Sequence, residues 1–146
     1  MPNAAMNKFN DYVDQEARAV HNWGAHTFKV ALTNVAPSPN NSVLADITQI
    51  AASGGYVAGA GGGYLLDSVT MSKANGVTKV TIADEVITAV GGDMAPFRYA
   101  VVYNDSAVSP NDALVCWYDY GSSVTLASGE SITLDFDNAA GVWTKS

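Results

Sequence analysis

Two runs decide the fold: Pro96-Phe97-Arg98-Tyr99-Ala100-Val101-Val102-Tyr103-Asn104, and, beyond a turn containing Pro110, Ala113-Leu114-Val115-Cys116-Trp117-Tyr118-Asp119-Tyr120. Aromatic and β-branched residues dominate both, which suits a pleated strand better than a helix. In the first run Phe97, Tyr99, Val101 and Tyr103 alternate onto one face and Arg98, Ala100 and Val102 onto the other. Both faces are largely apolar. Strands of this kind belong at the centre of a sheet or at a subunit interface.

The same period of two extends outward in both directions. Over residues 27–33, Phe28, Val30 and Leu32 share a face opposite Lys29. Residues 65–71 and 77–82 flank Ser72-Lys73-Ala74-Asn75-Gly76, and the Asn-Gly pair marks a hairpin turn. Residues 85–90 read as a further strand. Residues 123–126 and 131–136 are expected to pair with each other across Ser128-Gly129-Glu130, with Ile132, Leu134 and Phe136 facing inward. Val142-Trp143 fits a last short strand. The pattern predicts a mainly β protein, a β-sandwich or jelly-roll-like barrel of about seven to nine short antiparallel strands.

Only the N-terminal part reads as helix. Over residues 4–22, Phe9, Tyr12, Val13, Ala17 and Val20 recur at helical spacing, with Lys8, Asp11, Asp14, Gln15 and Arg18 on the other side. Trp23-Gly24 would end it. Asn7 and Asn10 weaken the helical propensity, so an extended arm is the alternative. The expected organisation is one domain over residues 1–146, with a helix or arm at 1–24 and the β-sandwich at 25–146. Residues 37–41 are a loop, and residues 43–50 a short helix or an extended link. Gly54, Gly55, Gly59, Gly61, Gly62 and Gly63 crowd one stretch, but Tyr64-Leu65-Leu66 leads from it into a strand. A phosphate-binding loop would need a following helix and a lysine, so a tight turn is expected.

Composition excludes several functions. The chain has 146 residues, of which 14% are charged, and its net charge is −7. Such a balance opposes nucleic-acid binding. A hydrophobic share of 48% opposes disorder. No apolar run reaches the roughly 18–20 residues of a membrane-spanning helix. Residues 1–14 lack the apolar core of a signal peptide, which makes synthesis in the cytoplasm the expectation.

No motif carries catalysis. His21 and His26 lie five residues apart across the helix-to-strand break and are expected to make half-exposed hydrogen bonds. Cys116, the single cysteine, sits among apolar residues and reads as core. Asp84 and Glu85 point to opposite faces of a strand. Asp135-Phe136-Asp137-Asn138 lacks calcium-loop spacing. A Gly-x-Ser-x-Gly elbow is absent. The expectation is a protein that is not an enzyme and takes no metal or cofactor. The candidate interface residues are aromatic: Phe9, Tyr12, Trp23, Tyr99, Tyr103, Trp117 and Tyr118. Tyr99, Tyr103, Trp117, Tyr118 and Tyr120 could alternatively form a carbohydrate platform.

Several segments together resemble small virion proteins of tailed bacteriophages. They are Asn7-Lys8-Phe9-Asn10-Asp11-Tyr12-Val13; His26-Thr27-Phe28-Lys29-Val30-Ala31-Leu32-Thr33-Asn34 with Ala36-Pro37; and Leu44-Ala45-Asp46-Ile47-Thr48-Gln49-Ile50 with Gly54-Gly55-Tyr56. To these add Pro96-Phe97-Arg98-Tyr99-Ala100-Val101-Val102-Tyr103-Asn104-Asp105 and Trp117-Tyr118-Asp119-Tyr120-Gly121-Ser122-Ser123-Val124-Thr125-Leu126, then Gly129-Glu130 and Leu134-Asp135-Phe136. The likeness spans most of the chain and departs mainly at residues 59–63. It implies a capsid decoration, or cement, protein made in the host cytoplasm. Such a protein would bind the major capsid protein on the outer head surface, as a dimer or trimer. No catalytic residues come with it. A tail-fibre or receptor-binding, carbohydrate-binding module is the competing expectation. The N-terminal segment, with Phe9, Tyr12 and Trp23, would be an arm that docks on a neighbouring subunit.

Overall fold

The alternation of apolar and polar residues sets most elements of the computed structural model, which describes residues 5–136 and 142–145. In chain order these are β1 (Asn7–Lys8), α1 (Asn10–Ala17), β2 (Phe28–Thr33), a single 3-10 turn at Leu44–Asp46, β3 (Tyr64–Leu65), β4 (Thr70–Ala74) and β5 (Val77–Thr81). Then follow β6 (Glu85–Thr88), β7 (Phe97–Asn104), β8 (Leu114–Val124), β9 (Ser131–Leu134) and β10 (Trp143–Lys145). They form a five-stranded sheet ordered β1-β8-β7-β2-β3, a three-stranded sheet β10-β5-β4 and a two-stranded sheet β6-β9. All pairings are antiparallel. The protein is mainly β, as expected.

The large sheet packs as a sandwich against the two smaller ones. Phe28, Val30, Leu32, Ala100, Val102 and Cys116 meet Val80, Ile87 and Leu134 in the main core. Each buried Phe, Val, Leu or Ile among them is worth roughly 1.5–3 kcal/mol relative to exposure. The other face of the large sheet carries a second, smaller core. There Ala31, Val101, Tyr103 and Leu114 are covered by Phe9, Leu44 and Ile47. β7 is thus the central strand that its sequence predicts, but both of its faces are covered by the same chain. The two-sided apolar character does not call for a partner subunit.

Two irregularities between β7 and β8 set which side chain points where. Val102 pairs with Cys116 and Tyr103 with Leu114, so Val115 is an extra residue in a β-bulge. Val115 and Cys116, although adjacent, therefore both reach the main core. At the other end Phe97 pairs with Val124 and Tyr99 with Asp119, so β8 uses extra residues around Gly121, whose φ is 99°. The phase shift turns Phe97 into the main core beside Ala100 and Val102, rather than onto the face of Tyr99, Val101 and Tyr103.

The β4–β5 hairpin turns through Asn75 (φ 52°) and Gly76 (φ 78°), the pair of left-handed residues that a two-residue hairpin favours. The second expected hairpin does not form. Residues 131–134 pair instead with β6, Glu85 opposite Leu134 and Thr88 opposite Ser131, while Val124 extends β8 alongside β7. Local turn residues at 128–130 signalled a reversal but could not name the partner strand. The expected strand at 65–71 is likewise split, with Leu65 on β2 and the strand resuming at Thr70. The Gly-rich loop is a tied turn: Gly61 O accepts from Lys29 Nζ at 2.8 Å and Gly62 O from the Tyr103 hydroxyl at 2.6 Å. At Gly63 (φ 84°) a side chain would collide with the Val30 carbonyl.

The N-terminal helix is shorter than the predicted 4–22. Asn7 and Lys8 pair with the edge of β8, which holds this stretch extended, and Phe9 N donates to Val115 O. At the other end Ala19 adopts φ 60° and Val20 N donates to Gln15 O, a Schellman-type stop well before Gly24. Tyr12 and Gln15 face inward, whereas Val13 is 61% exposed. Phe9 belongs to the smaller core and Tyr12 and Trp23 to the main one, so this segment is built into the sandwich and is not a free arm.

Two outcomes follow for stability. Ala19→Gly should raise the unfolding free energy by about 1 kcal/mol in urea melts, because glycine removes the left-handed penalty that alanine carries. Phe9→Ala should lower it by about 3–5 kcal/mol, the usual cost of truncating a buried aromatic, and any loss below 1 kcal/mol would contradict the smaller core.

Candidate interaction surface

The seven aromatic candidates divide by burial. Phe9, Tyr12, Trp23 and Tyr103 are 1%, 1%, 4% and 0% exposed, so none of the four is open to a partner. Trp23 stacks on Phe28 with ring centroids 4.0 Å apart, and its indole N–H donates to the Tyr12 hydroxyl at 3.1 Å. Tyr103 anchors the Gly-rich loop. These residues are structural, a correction to their reading as interface. Tyr118 points inward and meets Phe136 edge-on at 5.8 Å, and burial pushes its phenol well above the usual range.

Tyr99 and Trp117 remain half-buried on the outer face of the large sheet. Val101 pairs with Trp117 and Tyr99 with Asp119, so the two rings are diagonal neighbours on adjacent strands. Trp117 rests on Phe9, centroids 4.7 Å apart and planes tilted 48°, which fixes its ring from below. Arg98 adds a charge. Its Nε and Nη2 donate to the two Asp119 oxygens at 2.8 and 3.1 Å, and its guanidinium lies 5.3 Å from the centre of the Tyr99 ring. Gly121 N also donates to Asp119 Oδ1 at 2.8 Å. The guanidinium holds the Asp119 carboxyl below its ordinary range.

This patch offers aromatic faces and a planar donor array on a rigid two-strand support. Trp, Tyr and Arg are the types that dominate binding hot spots. Sequence reasoning found Tyr99 and Trp117 but missed Arg98 and Asp119, because β8's extra residues around 120–123 decide that they meet.

A second constellation lies elsewhere. His21 and His26 both hydrogen-bond Asn104 at the end of β7. His21 is only 5% exposed, more buried than expected, and burial pushes its pKa down to about 4. Beside it a groove of about 330 Å³ runs between the α1–β2 connection and the β4–β5 hairpin, lined by Glu16, His21, Asn22, Trp23, Met71 and Thr78. Asn104 carried a signal that went unread: a polar amide ending an apolar central strand must be buried and therefore bonded. Cys116 is buried core, and its thiol is pushed up by desolvation. The Asp135–Asn138 segment leaves the described residues after Phe136. No helix among the described residues is long and apolar enough to cross a membrane.

No family model, curated protein or solved structure matches this chain.

The Arg98–Asp119 pair is 38% exposed on each side, where such pairs contribute little. Arg98→Ala should therefore leave the midpoint of denaturant unfolding almost unchanged. A clear fall in that midpoint would make the pair a structural element and not a surface one.

Proposed function

We propose that this chain is a non-enzymatic virion structural protein, a decoration protein that binds the outside of a phage head. The observation that carries the reading is the Tyr99–Trp117–Arg98 patch, rigidly mounted on the central sheet and accessible from outside. The resemblance of most of the chain to small phage virion proteins supports the same role. A net charge of −7 favours the outer shell face, since packaged DNA would repel the protein from the inner one. In this reading the patch packs on the major capsid protein, and the buried N-terminal segment keeps the domain whole. Homo-oligomerisation as a dimer or trimer on the symmetric lattice belongs to the same proposal.

Half-buried Tyr99 and Trp117 beside Arg98 also favour a second reading, a tail-fibre or receptor-binding module that stacks a sugar ring on the aromatics. Copy number separates the two. Decoration predicts hundreds of copies on the head in an electron-microscopy map of the particle, whereas a fibre module predicts a handful at the tail. Under the first reading, the Tyr99→Ala/Trp117→Ala protein should remain folded and bind empty heads at least tenfold more weakly. Unchanged head binding, or glycan binding that the double substitution abolishes, would reject decoration through this patch.

A further inference from the structure

Two imidazoles converge on one side-chain amide. Asn104 is fully buried, and its Oδ1 accepts from Ser106 N at 2.9 Å, which orients Nδ2 toward the histidines. Nδ2 lies 3.2 Å from His21 Nδ1 and 2.9 Å from His26 Nδ1, with the Val20 carbonyl further off at 3.4 Å. An amide NH₂ only donates, so both ring Nδ1 atoms must present a lone pair. The His21 proton then sits on Nε2, which donates to Gln15 Oε1 at 3.1 Å. His26 Nδ1 also accepts from Asn22 N at 3.2 Å. The arrangement holds only while both rings are neutral.

We propose that residues 18–27 and Asn104 form a proton-operated latch, in which the Nδ1 lone pairs of His21 and His26 hold the α1–β2 connection on the end of β7 and protonation of His21 releases it. A proton added at His21 Nδ1 faces the Asn104 N–H groups directly. Asn104 cannot turn its oxygen toward an imidazolium without setting NH₂ against Ser106 N–H.

None of the ion pairs among the described residues includes His21 or His26. From α1, the Tyr12 ring packs on His21 at 5.1 Å, and the Glu16 carboxylate on the groove wall is hydrogen-bonded to Tyr12, while its Oε2 is buried without a hydrogen-bond partner and is the one acid on this wall. From β2, Phe28 lies 6.3 Å from His21, and Lys29 is paired with Asp105 at 3.2 Å. From β4 and β5 the groove residues are Met71 and Thr78, neither charged. Ala19, already left-handed, sits where the segment would swing, and the open groove beside it gives room.

Burial lowers the His21 pKa in the closed latch to about 4, below the roughly 6.5 of a solvated ring. The closed form is therefore favoured fully above about pH 6.5, and the preference is lost as pH falls toward 4. Between pH 7.5 and 5.0 the opening equilibrium should rise roughly 30-fold from His21 alone.

Hydrogen exchange of the full chain at these two pH values, corrected for intrinsic rates and read by peptide, tests this. Residues 18–27 should lose protection about 30-fold at pH 5.0 while β2 and β7 keep theirs. The response should vanish in His21→Gln/His26→Gln, which cannot titrate. It should also vanish in Asn104→Asp, whose carboxylate accepts from an imidazolium. Unchanged protection of 18–27 in the wild type, or equal loosening of the core strands, overturns the latch. So does a wild-type response in either variant, and Asn104→Asp decides alone if the double variant does not fold.

Discussion

The central strand β7 is apolar on both faces, and one chain must cover both. That requirement organises the molecule. One face is met by β5, β6 and β9, whose inward residues complete the main core. The other is met by pieces with little regular structure of their own: Phe9 ahead of α1, and Leu44 and Ile47 around a single 3-10 turn. A sheet with both faces buried needs an outer layer, and here that layer is assembled from short segments rather than from a second sheet.

Covering the second face in this way also places the outer-face aromatic patch. Phe9, by filling the smaller core, supports the underside of Trp117 and leaves that ring half-buried beside Tyr99. The extra residues of β8 around Gly121 bring Asp119 to Arg98. The patch therefore owes its rigidity to the same packing that holds the fold together. Its groups can be changed at small cost because they lie at the rim of that packing and not within it. The histidine–asparagine cluster has the opposite character. His21 and Asn104 are buried and His26 half-buried, and the three are joined by hydrogen bonds, so the state of a single proton matters to the cluster.

Much of the fold was legible. Alternation located β2, β5, β7 and β8 within a few residues, and Asn75-Gly76 named its hairpin because its turn conformation is a local property. The helix was overextended because Asn7 and Lys8 are recruited by the edge of β8, a contact that periodicity cannot foresee. Residues 131–134 were paired with the wrong strand for the same reason: turn chemistry at 128–130 is local, whereas the choice of β6 depends on which edge is free. Of the candidate interface, Tyr99 and Trp117 remained at the surface and the other five turned inward. An aromatic side chain on a strand gives the same signal whether it meets a partner or its own core.

By itself the sequence determined the class, the central position of β7 and the exclusion of a predominantly basic surface, since these depend on composition and on the fixed period of two. Tertiary structure alone decided which face each aromatic took, because one bulge at Val115 and one insertion at 120–123 reset that period. It also decided that the scarce charges recorded in the composition leave no bare apolar face on β7. The second face is closed by distant segments of the same chain, and only the folded arrangement can bring Phe9, Leu44 and Ile47 together over it.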